Sequence, residues 1–294
     1  EGERGRDRPR STWLLASLVF LFMIFAHDQP YVLMDMFHEG ERLTPAFVMR
    51  EGGRPFGDIF LLHGLAADGG LDALFMGDPP SPWRARRMYT ILNAVTVALL
   101  VPLAAEVCVT ATGLWLGVLL SLSALGAGQA IGFPYYRLAP LLIATFAFLR
   151  YARTGRVRWL ATAFSASTLG VLWSLDTGMY AMGATAVLGG LGLLTGRRLP
   201  ASREVAAAAG AIALPFLVLL IVRADIRQFL VDSFVLIPAA AMLEVGVVGT
   251  FVGADHAKNA DANLEEFAKV WPPIVRYAGE RVRRKAGKAG KVGK

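Results

Sequence analysis

Three side chains that could do chemistry together lie close in the sequence: Asp35, His38 and Glu39. If this part of the chain is helical, their spacing of i, i+3 and i+4 puts all three on one face. Asp35 could then act as a general base toward an acceptor hydroxyl or amine, while His38 and Glu39 orient it or hold a divalent cation such as Mg²⁺ or Mn²⁺. The alternative is a solvated interfacial helix whose acidic side chains pair with Arg42 and Arg50.

A second set of candidate residues is basic. Arg84, Arg86 and Arg87 stand directly before a long apolar stretch, and Arg137 stands before a later one. Guanidinium groups bind phosphate oxygens through paired hydrogen bonds and tolerate a membrane interface, so these residues predict a site for a phosphate-bearing lipid. Simple contact with lipid headgroups is an equal alternative. Asp176, in the turn sequence SLDTG, is a supporting acidic candidate.

The elements that must hold these side chains follow from the composition. Of 294 residues, 55% are hydrophobic and 18% charged, and the mean hydropathy is +0.48, which argues strongly against an ordinary soluble domain. A helix needs roughly 20 apolar residues to cross the bilayer core, so stretches between charges mark the spans. They predict an all-α integral membrane protein with seven or eight transmembrane helices, at residues 11–26, 88–105, 107–136, 138–149, 159–175, 177–196, 205–222 and, as the eighth, 233–254.

Basic residues in the short loops predict the orientation. With the N-terminus in the cytoplasm, eleven arginines fall in inner segments and three in short outer loops, as Lys and Arg resist translocation. The predicted organisation is a cytoplasmic basic N-terminus at 1–10, a multi-pass domain in the cell membrane at 11–254, and a polar basic tail at 255–294 that we expect to be disordered. The long loop at 27–87 then faces outward.

The predicted outer loop has the character of membrane-hugging helices. Residues 39–50 separate apolar from charged side chains as a helix in the interface plane does, and Gly52, Gly53 and Pro55 end that helix. Two short apolar pieces around a glycine-rich turn follow at 58–77, and both are too short to span a bilayer. The loop closes with the three arginines before the second span.

The net charge of +7 is concentrated in the tail. Residues 255–294 hold ten Lys and Arg against five acidic residues, which leaves twenty against eighteen in the rest of the chain. Nucleic acid is therefore not the expected partner of the membrane part; anionic membrane lipids are. The single cysteine, Cys108, excludes an intramolecular disulfide and a cysteine-based metal site.

Several segments resemble a known family. DMFHEGER and EGGRPFGDIFLLHG, followed by a glycine-rich turn and an arginine before the second span, resemble the first external loop of GT-C superfamily membrane glycosyltransferases. The nearest types are the protein mannosyltransferases and aminoarabinose transferases. The later segment from RLAPLLIATF to SLDTGMYA is similar to the middle of such proteins, and the resemblance extends over roughly residues 11 to 240.

The resemblance implies an enzyme that moves a sugar from a polyprenyl-phosphate-linked donor to an acceptor on the outer face of the membrane. Asp35 matches the family's first-loop acid, as catalytic base or as the group that coordinates an assisting metal, with His38 and Glu39 in support. The arginines at 84, 86, 87 and 137 match positions near the lipid phosphate of the donor.

The chain departs from that family in two ways. The paired acid common in protein mannosyltransferases is absent after Asp35, which leaves the acceptor type open, and the chain turns polar after Ala254, so the family's C-terminal part is expected to be missing. A non-catalytic multi-pass protein, either a flippase or transporter subunit or a truncated relic, remains the alternative. The few ionisable residues within the spans argue against transport.

Overall fold

The computed structural model of the protein describes residues 9–27, 38–108, 113–115, 117–119, 134–194 and 202–237. Within these ranges the regular structure is helical, with no strand beyond one isolated bridge between Pro55 and Ile59. The prediction of an all-α protein is confirmed for this part of the chain. Residues up to Asp232 form one compact unit, and only the first five residues of a second unit, 233–294, are described.

Beside the helical residues 113–115 and 117–119, nine α-helices have both ends within the described residues. They are α1 (Pro9–His27), α2 (His38–Arg50), α3 (Leu71–Phe75), α4 (Pro82–Val107), α5 (Ala139–Thr154), α6 (Val157–Trp173), α7 (Leu175–Leu194), α8 (Ser202–Ile221) and α9 (Ile226–Val231). Shorter turns supplement them: π-helical turns at Ala66–Gly70 and Asp232–Leu236, and a 3-10 turn at Tyr135–Leu138.

Six of the predicted apolar stretches correspond to the long helices α1 and α4 to α8. Two of these helices, α4 and α8, are long and apolar enough to cross a membrane, and residues 11–25 of α1 form a shorter apolar helix. The stretches at 107–136 and 233–254 lie largely outside the described residues. The count of seven or eight transmembrane helices therefore stays a prediction.

The long helices form a bundle in which α4 packs on α1 and, in parallel, on α5, and α6 packs on α5, α7 and α8. The start of α4 meets the 3-10 turn before α5, where the rings of Tyr89 and Tyr136 lie 4.7 Å apart. The opposite end of α4 meets the end of α5, where Glu106 binds Arg150. We call these the Tyr89 end and the Glu106 end of the bundle.

Close backbone contact joins α6 to α7. A Cβ atom added at Gly178 would lie 2.3 Å from the backbone of Gly170 and Val171, so the two helices touch where neither glycine has a side chain. A hydrogen bond of 2.8 Å from the Thr168 hydroxyl to the Ala211 carbonyl ties α6 to α8. Glycines and short polar side chains thus set the spacing of these three helices.

The segment between α2 and α4 folds across the Tyr89 end. The carbonyl of Pro55 accepts a 3.0 Å hydrogen bond from Asp225 N–H in the α8–α9 connection. The buried ring of Phe56 meets Phe229 of α9 edge to face, with centroids 5.0 Å apart. Further along, the carbonyl of His63 accepts a 2.7 Å bond from the N–H at the start of α7. Residues 51–81 therefore form a cap that is anchored on the α8–α9 connection and on the α6–α7 turn.

Two sequence predictions about this segment can be compared directly with the helix boundaries. Helix α2 ends at Arg50, and Gly52 follows at a φ of +92°, so the predicted stop of this helix is confirmed, while its predicted position in the membrane interface stays a prediction. The arginines at 84, 86 and 87 were expected at the close of a loop, whereas α4 already begins at Pro82. Proline suits a first helical turn because its missing N–H has no partner there, and so the helix starts before the apolar stretch does.

Candidate functional site

A buried cluster of polar and aromatic side chains occupies the Tyr89 end. Asp72 of α3 exposes 1% of its surface, and its Oδ2 accepts a 2.6 Å hydrogen bond from the hydroxyl of Tyr89. The guanidinium carbon of Arg42 lies 4.2 Å from the centre of the Tyr89 ring, and Tyr136 packs against that ring from the 3-10 turn. We call Arg42, Asp72, Tyr89 and Tyr136 the Tyr89 cluster.

Glycine brings the two sides of this cluster together. Gly69 adopts a φ of +102°, and a Cβ atom there would lie 2.4 Å from the carbonyl oxygen of Arg42 and 2.8 Å from the amide of Ala46. The π-helical turn at Ala66–Gly70 can therefore lie directly on α2, and α3 continues from it. As a result Asp72 is placed beside the start of α4.

Hydrogen bonds to the backbone hold Tyr136 in place. Its N–H donates to Oδ1 of Asn93 at 2.8 Å, and its carbonyl accepts a 2.8 Å bond from the indole N–H of Trp173. The Trp173 ring also meets the Tyr136 ring edge to face at 6.5 Å. Three elements, α4, the 3-10 turn and the end of α6, therefore fix one wall of the cluster.

A second buried carboxylate, Asp68, precedes Asp72 by four residues. Its Oδ2 accepts a 2.5 Å hydrogen bond from the backbone N–H of His63. Burial raises the pKa of Asp68, and this effect outweighs the His63 hydrogen bond and the positive charge of Arg137, which lower it. A carboxyl group with a raised pKa is a better proton acceptor than an ordinary aspartate.

Two guanidinium groups face these carboxylates. Burial opposes the charge of Arg42, but Tyr89 and Asp72 nearby outweigh that effect and raise its pKa, so Arg42 stays cationic. Arg137 interacts electrostatically with Asp68 and Tyr136. Its Nε is buried and has no hydrogen-bond acceptor among the residues that the structure describes. This N–H is a donor suited to an anionic group.

The residues predicted from the sequence lie in different places. Asp35 lies outside the described residues; His38 and Glu39 begin α2, and their side chains are outside the described part. Of the four arginines, Arg137 adjoins the Tyr89 cluster. Asp176 is exposed, accepts a 2.8 Å bond from Thr177 N–H and a bond from the Ser174 hydroxyl, and so caps the start of α7.

The other three arginines follow the surface of α4. Arg84 packs against Gly77 and is exposed, as is Arg87, while the Arg86 guanidinium lies 4.7 Å from the ring centre of Trp83. They lie within two turns of Tyr89, at the same end of the bundle. This position suits contact with a headgroup beside the cluster.

Sequence reasoning missed Asp68 and Asp72, and it considered Arg42 only as an ion-pair partner. A signal was present: two aspartates four residues apart flank two glycines inside an otherwise apolar piece. Charged side chains in such a setting are buried with partners or are functional. The glycine-rich turn was instead interpreted as a separator between two helices.

Neither a metal site nor a known relative emerges for the described part of the chain. No group of three or more His, Cys, Asp or Glu side chains lies together within those residues. The metal site predicted from Asp35, His38 and Glu39 involves side chains outside the described residues.

No family model, no curated protein and no solved structure matches the chain.

Proposed function

We propose that this protein is a membrane glycosyltransferase that moves a sugar from a polyprenyl-phosphate-linked donor to an acceptor at the Tyr89 end. The observation that carries the proposal is that two buried carboxylates, Asp68 and Asp72, lie on the inner side of the cap close to the guanidinium group of Arg42, which packs on the ring of Tyr89, whose hydroxyl binds Asp72. Transfer from a lipid phosphate needs both kinds of group: a cation for the phosphate and a carboxylate for the acceptor proton.

The exposed apolar faces of the helices support a membrane location. Helix α1 exposes five large apolar side chains: Trp13, Leu14, Leu18, Phe22 and Phe25. In α8 only 22% of the apolar stretch is buried within the protein. Such continuous apolar surface is rare on soluble monomers and is satisfied by lipid. We therefore retain the proposal of a multi-pass chain with a cytoplasmic N-terminus, and with the Tyr89 end on the external side.

The proposed donor phosphate lies beside Arg137. The guanidinium group of that residue supplies a charge-assisted hydrogen bond, and its positive charge, which also acts on Asp68, stabilises the phosphate as it leaves. Arg84, Arg86 and Arg87 at the start of α4 hold the rest of the headgroup or its neighbours. The hydrocarbon chain of the donor then remains in the bilayer along the apolar helix faces.

In the proposed reaction an acceptor hydroxyl or amine attacks the anomeric carbon of the sugar. A bond forms between the acceptor atom and that carbon, the carbon–oxygen bond to the phosphate breaks, and the polyprenyl phosphate leaves with the electron pair. The acceptor proton passes to a carboxylate. Asp35 is the base that the family resemblance implies, and Asp68 is a second carboxylate whose burial and raised pKa suit the same step.

Asp72 and Tyr89 have a positioning role in this proposal. The bond of 2.6 Å between them fixes the Tyr89 ring beneath the Arg42 guanidinium, so the cation is oriented by the ring face. Loss of that bond would move Arg42 without removing its charge. The expected result is weaker donor binding with the base still in place.

The experiment is a binding and transfer assay on the full chain in lipid vesicles. Bare polyprenyl phosphate is titrated by tryptophan fluorescence, because Trp173 adjoins the cluster, and a panel of polyprenyl-phosphate hexoses and pentoses is tested for transfer. Arg137→Gln should weaken binding about tenfold or more, as a charge-assisted hydrogen bond is lost. Asp35→Asn or Asp68→Asn should abolish transfer while binding persists.

Arg227→Gln is the matched control, since Arg227 is an exposed cation of α9. It should bind and transfer as the unmodified chain does. Full turnover by both aspartate variants would contradict the assignment of the base. Absence of polyprenyl phosphate binding in the unmodified chain would favour the non-catalytic alternative.

A further inference from the structure

The outer side of the cap carries large apolar side chains. Leu74 and Phe75 end α3 with 75% and 38% of their surface exposed, and Trp83 in the first turn of α4 is 40% exposed. Asp72, on the same short helix, is buried in the Tyr89 cluster. Helix α3 therefore buries a carboxylate on one side and exposes an apolar pair on the other. We call Leu74, Phe75 and Trp83 the Phe75 patch.

Local packing fixes the end of α3 beside the start of α4. Met76, directly after Phe75, is fully buried and packs with Ala85 in the first turn of α4. The Met76 carbonyl also accepts a 2.9 Å hydrogen bond from the N–H of Ser81, the residue before α4. Phe75 and Trp83 adjoin these contacts in the chain, so the Phe75 patch lies at the level of the first turn of α4.

The apolar stretch of α4 relates that level to a bilayer. Helix α4 is long and apolar enough to cross a membrane, and its charge-free part begins at Met88. Trp83 precedes Met88 by five residues, which corresponds to about 7 Å along the helix axis. The headgroup region extends roughly this far on each side of the hydrocarbon core. Where α4 crosses the membrane, the Phe75 patch therefore lies among the headgroups.

Cationic side chains flank the Phe75 patch. The arginines of the last turn of α2 and the first turns of α4 are Arg50, Arg84, Arg86 and Arg87. The Arg50 guanidinium donates a 3.3 Å hydrogen bond to the carbonyl of Ala73, beside Leu74, and the Arg86 guanidinium carbon lies 4.7 Å from the centre of the Trp83 ring. Glu51 and Asp78, in the turns that adjoin these helices, offset two of the four positive charges. The surroundings of the patch remain positive.

This combination fits a lipid surface better than a soluble partner. Tryptophan and arginine beside an apolar helix are typical of the headgroup level of a bilayer, and anionic lipids attract cations held near that surface. The Leu74 side chain and the guanidinium groups of Arg84 and Arg87 are already exposed, so they can contact lipid without any change in the fold. Lipid contact also removes the apolar side chains from water.

We infer that the Phe75 patch inserts into the headgroup layer of an anionic bilayer and anchors the cap there. Leu74 and Phe75 contact the upper part of the acyl chains, and Arg84 and Arg87 bind lipid phosphates. The inner side of α3 then holds Asp72 in the Tyr89 cluster while its outer side is fixed to the bilayer. The inference rests on the membrane location proposed above and not on any transfer reaction.

The test measures how deeply the Phe75 patch lies in the bilayer. The full chain carries Cys108→Ser, so that one introduced cysteine can be labelled with a nitroxide, and is reconstituted in vesicles of phosphatidylcholine and phosphatidylglycerol. Electron paramagnetic resonance then compares the accessibility of the label to oxygen, which concentrates in lipid, with its accessibility to a water-soluble nickel chelate. Leu74→Cys reports the patch, Val95→Cys in the middle of α4 is the lipid reference, and Arg156→Cys between α5 and α6 is the water reference.

The label at position 74 should be severalfold less accessible to nickel than the label at 156, and less accessible to oxygen than the label at 95. Its accessibility to nickel should rise about twofold when phosphatidylcholine replaces phosphatidylglycerol, or when Arg84→Gln and Arg87→Gln are combined, because the attraction to anionic headgroups is lost. Arg227→Gln, which removes an exposed cation of α9, should leave it unchanged. Circular dichroism of each variant confirms that the helices are retained.

Other outcomes overturn the inference. Equal nickel accessibility at 74 and 156, with the label at 95 in lipid, would leave the chain in the membrane but place the Phe75 patch in water. Nickel access at 95 would contradict the membrane location and the inference with it. Protection at 74 from both reagents would mean that a second copy of the chain covers the patch. A nickel accessibility at 74 that responds neither to lipid charge nor to the two arginine substitutions would contradict anchoring by anionic headgroups.

Discussion

The two ends of the bundle each bury a carboxylate but stabilise it differently. Glu106 is bound by two guanidinium groups at 2.9 and 2.8 Å, whereas Asp72 accepts its 2.6 Å bond from the hydroxyl of Tyr89. At the Glu106 end the cations bind the acid directly and fix helix ends. At the Tyr89 end the Arg42 guanidinium packs on the aromatic ring whose hydroxyl binds the acid.

The ends also differ in the chain segments that build them. The ion pairs at the Glu106 end join the terminal turns of α4 and α5, which the packing of the long helices brings together. The Tyr89 cluster needs α2, α3 and the 3-10 turn as well, each held by glycines or backbone hydrogen bonds. Helix packing alone therefore assembles the first end, while the second depends on the cap.

The largest effect is expected where α6 and α7 touch, because two helix backbones are in direct contact there. Gly178→Ala places a Cβ atom 2.3 Å from the backbone of Gly170, and neither helix can move aside cheaply. We expect a loss of about 3 kcal/mol in the free energy of unfolding, measured by thermal unfolding in detergent. The control is Gly183→Ala on the same helix, whose Cβ would meet no atom within 4 Å. Equal stability of the two variants would contradict the close contact.

The next effect tests the Glu106 end. Glu106→Gln keeps the size of the side chain but leaves Arg150 and Arg153 without their counter-charge. Both arginines are 40% exposed or more, so water screens part of the cost. We expect a loss of about 2 kcal/mol in the free energy of unfolding, with a weaker dependence on salt than the unmodified chain shows. Glu51→Gln, at an exposed position, should change neither quantity.

A smaller effect is expected for the matching change at the Tyr89 end. Tyr89→Phe removes the hydroxyl that donates to Asp72 and retains an aromatic ring for Arg42 to pack on. The loss in the free energy of unfolding should be about 1 to 2 kcal/mol, since a buried acceptor loses a donor. Tyr180→Phe is the control because Tyr180 is 71% exposed. A larger loss here than for Glu106→Gln would reverse the comparison between the ends.

The smallest effect concerns the pH dependence of stability at the Tyr89 end. The unfolded Asp68 carboxyl titrates near its ordinary value of 3.8, and burial raises its pKa in the folded protein. Between those two values the folded state binds more protons, so its stability is greatest at low pH and falls as the pH rises through the folded pKa. Asp68→Asn should remove this fall, measured as unfolding temperature between pH 4 and pH 7. An unchanged profile would mean that Asp68 titrates alike in both states.

The long helices could be predicted from the sequence because each depends on a local property. Charge-free apolar stretches locate α1 and α4 to α8 within a few residues, and Gly52 correctly ends α2. The error at α4, which begins six residues before the apolar stretch at 88–105, has a local cause. Arginines on the first turns of a helix can extend beyond the apolar part, so charge does not mark the helix start.

The candidate site could be predicted only in part because it depends on contacts distant in sequence. Arg137 was identified from its position before a span, but the burial of Asp72 requires Tyr89, 17 residues away, and α2 on its other side. The sequence places Asp68 and Asp72 in a glycine-rich turn, where aspartate is ordinarily solvated. The apolar residues around the two aspartates were the one local signal of burial, because turn chemistry alone does not distinguish a solvated turn from a buried one.

The backbone hydrogen bond from Leu175 N–H to the His63 carbonyl couples the length of the cap to the length of the α6–α7 turn. It joins backbone to backbone, and a Cβ atom added at Gly64 beside it, where φ is +107°, would lie 3.2 Å from the carbonyl oxygens of Val171 and Leu172. Side-chain replacements at positions other than Gly64 leave such a bond intact, whereas inserting or deleting one residue in either segment breaks the register. Homologues should therefore keep both lengths together even where their residues diverge, and a chimera that exchanges the cap must exchange the α6–α7 turn with it.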